Sequence, residues 1–138
     1  MRLSAMPLLV LALLALGGCG KNQFTTATPQ DAYTAFHEHV KRGEYKEAYA
    51  ALSQGTQRVL TARAQALKET SGGKTDLEPY ELLFMNSAPP ADVTEITLGP
   101  VEGDVATVRM LSSGQPREVR LVREASGWKV DLSESLKP

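Results

Sequence analysis

The sequence predicts an α+β domain with N-terminal helices packed on a curved antiparallel sheet, and three observations carry that prediction. Apolar residues recur with helical spacing from residue 29 to residue 84, and from residue 95 to residue 132 they alternate with period two. Glycine-bearing turns separate the alternating runs, and links this short between strands with one apolar face mean an antiparallel meander. Helices that precede such a sheet cover one side of it.

Each element has its own signal. Thr28 caps a first helix with Pro29 at its first position and Asp31 near the positive end of its dipole. At 100° per residue Ala32, Tyr33, Phe36, His37 and Val40 share one arc, and Gly43 ends the helix. A second, shorter helix runs over 44–52, with Tyr45, Ala48, Tyr49 and Leu52 on one side. Ser53 caps a third over 55–70, whose inner side is Thr56, Val59, Leu60, Ala64 and Leu67; Ser71, Gly72 and Gly73 end it. Leu77, Tyr80, Leu83 and Phe84 give residues 76–86 helical spacing, although Pro79 fits only a first turn. After Ala88, Pro89 and Pro90 the period changes. Ile96 and Leu98, then Ala106, Val108 and Met110, then Val119 and Leu121, then Trp128, Val130 and Leu132 form the inner parity of four strands. Glu95, Arg109, Glu118, Arg120, Lys129 and Asp131 fall on the opposite parity and are expected to point to solvent.

Composition limits the function. The chain has 138 residues, 42% hydrophobic and 22% charged, an ordinary globular balance. Its net charge is −1, with no basic excess to hold a phosphate backbone, so nucleic acid is not an expected partner. A single cysteine, Cys19, excludes an internal disulfide and multi-cysteine metal sites. His37 and His39 lie about 200° apart on a helix, so they are not expected to share a metal; His37 sits at the edge of the apolar arc and His39 in solvent. Gly72-Gly73-Lys74-Thr75 lacks the upstream glycine and preceding strand of a phosphate loop. No metal and no cofactor is expected.

The first 18 residues read as a secretory leader. Arg2 gives a positive start, residues 8–16 are apolar without a break, and Gly17 and Gly18 precede the cysteine. That run is too short to span a bilayer, which takes about 20 apolar residues. Leu16-Gly17-Gly18-Cys19 resembles the lipobox of bacterial lipoproteins. The resemblance implies that Cys19 carries acyl chains and becomes the mature N-terminus, which makes membrane lipid a partner. Gly20 in the next position implies the outer membrane where the cell has one, and the cell membrane otherwise. Residues 19–27 then form a lipidated tether; its eight residues after the cysteine reach less than about 30 Å.

The order of elements over residues 28–133 resembles nuclear transport factor 2-like domains, within them the small exported lipoproteins. The helical opening is carried by Tyr33, Phe36, Gly43, Tyr45 and Tyr49, and the closing hairpins by residues 101–111 and 119–132, ending in Gly127-Trp128-Lys129-Val130. The resemblance implies a cone-shaped sheet around an apolar cavity, with Tyr33, Phe36, His37, Tyr49, Met110 and Trp128 as candidate lining. An early strand common in that superfamily has no alternating run here between Leu52 and Pro89. The inner parity of the strands holds no acid, so the expected function is non-catalytic binding of a small apolar ligand or an envelope protein. The runner-up is an isomerase- or dehydratase-like enzyme using His37 and a tyrosine; a homodimer through the sheet is the third expectation.

Overall fold

The computed structural model describes residues 27–85 and 90–138. The leader, Cys19 and the tether up to residue 26 lie outside the described residues, as do positions 86–89. Four helices, α1 (Pro29–Lys41), α2 (Tyr45–Ala50), α3 (Gln54–Thr70) and α4 (Pro79–Phe84), precede four strands, β1 (Val93–Glu102), β2 (Val105–Ser112), β3 (Gln115–Glu124) and β4 (Gly127–Asp131). The strands pair antiparallel in chain order β1-β2-β3-β4, the meander that the alternation predicts. The fold is therefore α+β, with the helices before the sheet.

The helix boundaries follow from local chemistry. Thr28 Oγ1 accepts from the Asp31 amide at 3.2 Å, and Ser53 Oγ accepts from the Thr56 amide at 3.1 Å, so both expected N-caps are present. Gly43 and Gly72 follow α1 and α3 at φ 71° and 64°, the left-handed geometry that closes a helix at least cost in glycine. The fourth helix is shorter than its spacing suggests. Pro79 forces the preceding residue out of helical geometry, so Glu78 is extended (φ −67°, ψ 147°) and α4 starts at Pro79 rather than at Asp76. Glu81 returns its carboxylate to the Glu78 amide at 2.7 Å and satisfies that free end.

The core lies between α1, α3 and the sheet. Ala32 and Tyr33 of α1, Leu52, Leu60 of α3, and Ala106, Val108, Met110, Leu121, Trp128 and Val130 of the sheet form one buried cluster. The link between α2 and α3 extends the sheet: Ser53 donates its amide to Val130 O at 2.8 Å and Val130 returns one to Ala51 O at 3.0 Å. Leu52 is thus held parallel to Val130, and the free side of β4 is covered.

Two expectations from strand parity fail, for different reasons. Leu98 sits opposite Val108 on the core side but is 45% exposed, and Val101, opposite Ala106, is 46% exposed. Register shifts between Thr94 and Thr97 and between Leu98 and Val101 each place an extra residue in β1, and such bulges bend an edge strand. Asp131 keeps the outer parity, beside its cross-strand partner Arg120, yet is only 9% exposed. Its Oδ1 accepts from Ser53 Oγ at 2.7 Å, Ser133 Oγ at 2.9 Å and Thr56 Oγ1 at 3.2 Å, while Arg120 Nε lies 3.2 Å from Oδ2. Thr56 Oγ1 also accepts the Leu132 amide at 2.8 Å. The start of α3 therefore caps the end of β4 and removes Asp131 from water.

Ser53 serves both α3 and Asp131, so Ser53→Ala should cost about 2 to 4 kcal/mol, a lost N-cap plus a lost hydrogen bond to a buried charge. Urea unfolding followed by circular dichroism reads this as a lower midpoint at unchanged slope. A loss under about 0.5 kcal/mol, the range of an ordinary surface substitution, would contradict the assigned role.

Candidate functional site

The candidate lining residues divide between packed interior and helix surface. Tyr33, Met110 and Trp128 belong to the buried cluster, and Phe36 and Tyr49 pack against it half-buried. The His37 ring stacks on Tyr33, one helical turn earlier, with centroids 6.1 Å apart and planes 18° apart. Trp128 carries the Arg123 guanidinium 4.8 Å from its ring centre. Among the described residues no buried side-chain nitrogen or oxygen lacks a hydrogen-bond partner, so the interior presents no unsatisfied polar atom to a ligand.

Titratable groups near the core are held in states that suit packing. Burial pushes the Tyr33 hydroxyl up from its ordinary value. Burial, with help from the Lys41 charge, lowers the pKa of His37 against the opposing pull of Glu38 and Asp92. Desolvation raises the Asp131 carboxyl, but the hydrogen bonds from Ser53, Ser133 and Thr56 outweigh it and the group lies below its ordinary value. General acid–base chemistry needs a carboxylate or imidazole poised near the working pH and open to a substrate. Asp131 is the opposite case, a low-pKa carboxylate whose Oδ1 is already surrounded by donors. His37 meets Tyr33 face to face, a geometry that aligns neither ring nitrogen with the phenol.

His39 corrects another expectation. Its Nδ1 lies 2.6 Å from Glu44 Oε2 across the turn between α1 and α2, and its side chain is only 21% exposed. Among the described residues no three His, Cys, Asp or Glu side chains come together as a metal site.

Several surface hollows lie among the described residues, and two of them bear on ligand binding. In one, of about 600 Å³, Tyr49 faces a stripe of α3 formed by Gln54, Gln57, Arg58, Thr61 and Gln65. Gln57 Nε2 donates to Tyr49 O at 3.0 Å and ties the two helices together there. The lining offers amides, the hydroxyls of Tyr49 and Thr61 and one guanidinium, and no carboxylate or imidazole. A second, of about 390 Å³, lies on the outer face of the sheet and includes Glu95, Thr97, Arg109 and Glu118. Strand parity places these last four side chains outside the core, but nothing in the alternation marks the hollow, because the bulge that shapes it breaks the alternation. Ser53, Thr56 and Ser133 as partners of Asp131 were equally hidden: their only signal was the N-cap at Ser53.

The lowered pKa of His37 sets a sign. Unfolded, the imidazole binds a proton more readily than in the fold, so the neutral-state preference is fully present above the ordinary histidine value of 6.5 and is lost as pH falls below it. Urea midpoints at pH 8 and pH 5 should therefore fall further for the natural chain than for His37→Gln; equal falls would contradict the assignment. Comparison of the chain with protein-family models, with curated proteins and with solved structures gives no match.

Proposed function

We propose that this chain is an envelope lipoprotein, held on a membrane by acyl chains on Cys19, whose domain binds a small apolar ligand or an envelope protein without catalysis. The observation that carries the binding half is the state of the ionisable groups: the one buried carboxylate among the described residues, Asp131, is saturated by structural donors. The anchoring half rests on Leu16-Gly17-Gly18-Cys19 at the end of an apolar run. Acyl chains contribute about 0.8 kcal/mol per buried methylene, so two or three of them hold a protein essentially permanently. Among the described residues no helix is long and apolar enough to cross a membrane. The nuclear transport factor 2-like reading of residues 28–133 is part of the proposal. Its support is a sheet bent by two β1 bulges with the helices on one face.

The enzyme reading has one observation in its favour, the stack of His37 on Tyr33. That stack lacks the hydrogen bond between imidazole and phenol that proton transfer would use, and binding is the better account.

Cys19→Ala should abolish labelling by a radioactive or clickable fatty acid and move the protein from the membrane to the aqueous fraction. Full membrane retention of an unlabelled Cys19→Ala chain would overturn the anchor.

A further inference from the structure

We propose that the hollow on the outer face of the sheet, framed by Glu95 and Arg109, binds a small zwitterion of the amino-acid or dipeptide type. The ammonium sits on the Glu95 carboxylate and the carboxylate on the Arg109 guanidinium. This rests on the reading that the domain binds rather than catalyses, and it names a ligand class for that domain; it does not depend on the lipid anchor.

The first observation is backbone strain. Glu95 has φ 53°, and the other positive-φ residue that is not glycine, Ser113, lies in the hairpin turn beside Gly114. Glu95 lies inside β1, at the bulge between Thr94 and Thr97, where glycine would adopt the same backbone at less cost. Strained residues and bulges cluster at binding sites because the strain aims a side chain that function requires. Glu95 is exposed, lines the hollow, and enters no ion pair among the described residues.

The second observation is an arginine held on the same face with donors to spare. Arg109 Nε donates to Glu118 Oε1 at 2.8 Å, which neutralises Glu118 and engages one edge of the guanidinium. The terminal Nη groups make no hydrogen bond among the described residues, and such a fork matches a carboxylate. Gly99 fits the close approach of β1 to β2 beside this arginine: a Cβ there would stand 3.0 Å from Thr107 O. Thr97 adds a hydroxyl, and Leu111 and Pro116 form an apolar wall suited to an aliphatic side chain; the whole hollow is about 390 Å³. Charge decides the class. Arg117 also borders the hollow, which therefore presents two carboxylates and two guanidiniums. A simple cation drawn to Glu95 is repelled by Arg109 and Arg117, a simple anion drawn to these is repelled by Glu95 and Glu118, and a molecule carrying both charges satisfies both signs.

The full chain in detergent micelles is titrated with L-alanyl-L-alanine while amide resonances are followed by NMR. Expected is weak, saturable binding with a Kd of about 1 mM and shifts confined to residues around 95, 97, 109 and 118. Acetylating the amine or amidating the carboxylate should weaken binding at least about tenfold. Glu95→Gln should weaken it as much at unchanged Tm. Glu95→Gly should also weaken it but raise Tm by roughly 4 °C, because glycine relieves the strain. No saturation by about 10 mM, binding that survives Glu95→Gln, or a lower Tm in Glu95→Gly overturns the proposal. Saturable shifts at other residues overturn this subsite and leave the binding reading standing.

Discussion

The carboxylate of Asp131 holds the helical and β parts of this domain in one arrangement. It is the last residue of β4, and it collects hydroxyls from the first turn of α3 and from the chain just beyond the strand. Those donors are 75 and 78 positions away in sequence for Thr56 and Ser53, so the cluster closes most of the described chain into a loop. A buried charge of this kind is costly unless its donors arrive together, which links the folding of α3 to the completion of the sheet. Glu124 reinforces the same junction by accepting the Gln54 amide at 2.9 Å, and Lys129 closes its other side on Ala50 O at 3.1 Å. The helix α3 thus begins against carboxylates from two strands, Glu124 of β3 and Asp131 of β4, the favourable sign for its dipole.

From that junction the rest of the architecture follows. With Ser53 fixed against Val130, the link from α2 becomes a fifth, single-bridge element of the sheet, and α1 must return across the same face. Tyr33 and Ala32 then join Leu121, Val130 and Trp128 in the buried cluster. The opposite margin is less constrained. β1 is an edge with two bulges and an internal Pro100, features that interrupt a regular edge and discourage pairing with another chain. The apolar residues Leu98 and Val101 stand at this margin and are exposed there.

What was legible in the sequence was the local chemistry. Thr28, Ser53, Gly43 and Pro79 act within a few residues of themselves, and each marks the helix end that it should. The inner parity of β2, β3 and β4 also follows from alternation alone, since Ala106, Val108, Met110, Leu121, Trp128 and Val130 are all buried. Contacts that join distant segments were not legible. Parity puts the Asp131 side chain on the outer face, but parity carries no information about what covers a strand end from another element, so its expected solvent exposure fails. A bulge is invisible for a related reason: Glu95 and Ile96 together oppose Met110, and the count of residues in β1 changes without any change in residue type that signals it. His39 reached Glu44 only because Gly43 turns the chain between them.

The same two blind spots bear on function. Groups that the fold uses internally, such as Asp131, look reactive in composition and are inert in place, because every favourable contact to the ionised form also removes a reason for it to accept a substrate proton. Groups that the fold does not use are the ones left available, and Glu95 is the clearest of them. Its backbone is strained, its side chain supports no neighbour among the described residues, and glycine would serve the bulge better. In a domain where Asp131, His39, Arg120 and Arg123 are all engaged by their neighbours, a strained and unengaged carboxylate contributes nothing to stability. Folding energetics alone would replace it, so its presence is better explained by what it meets outside the chain.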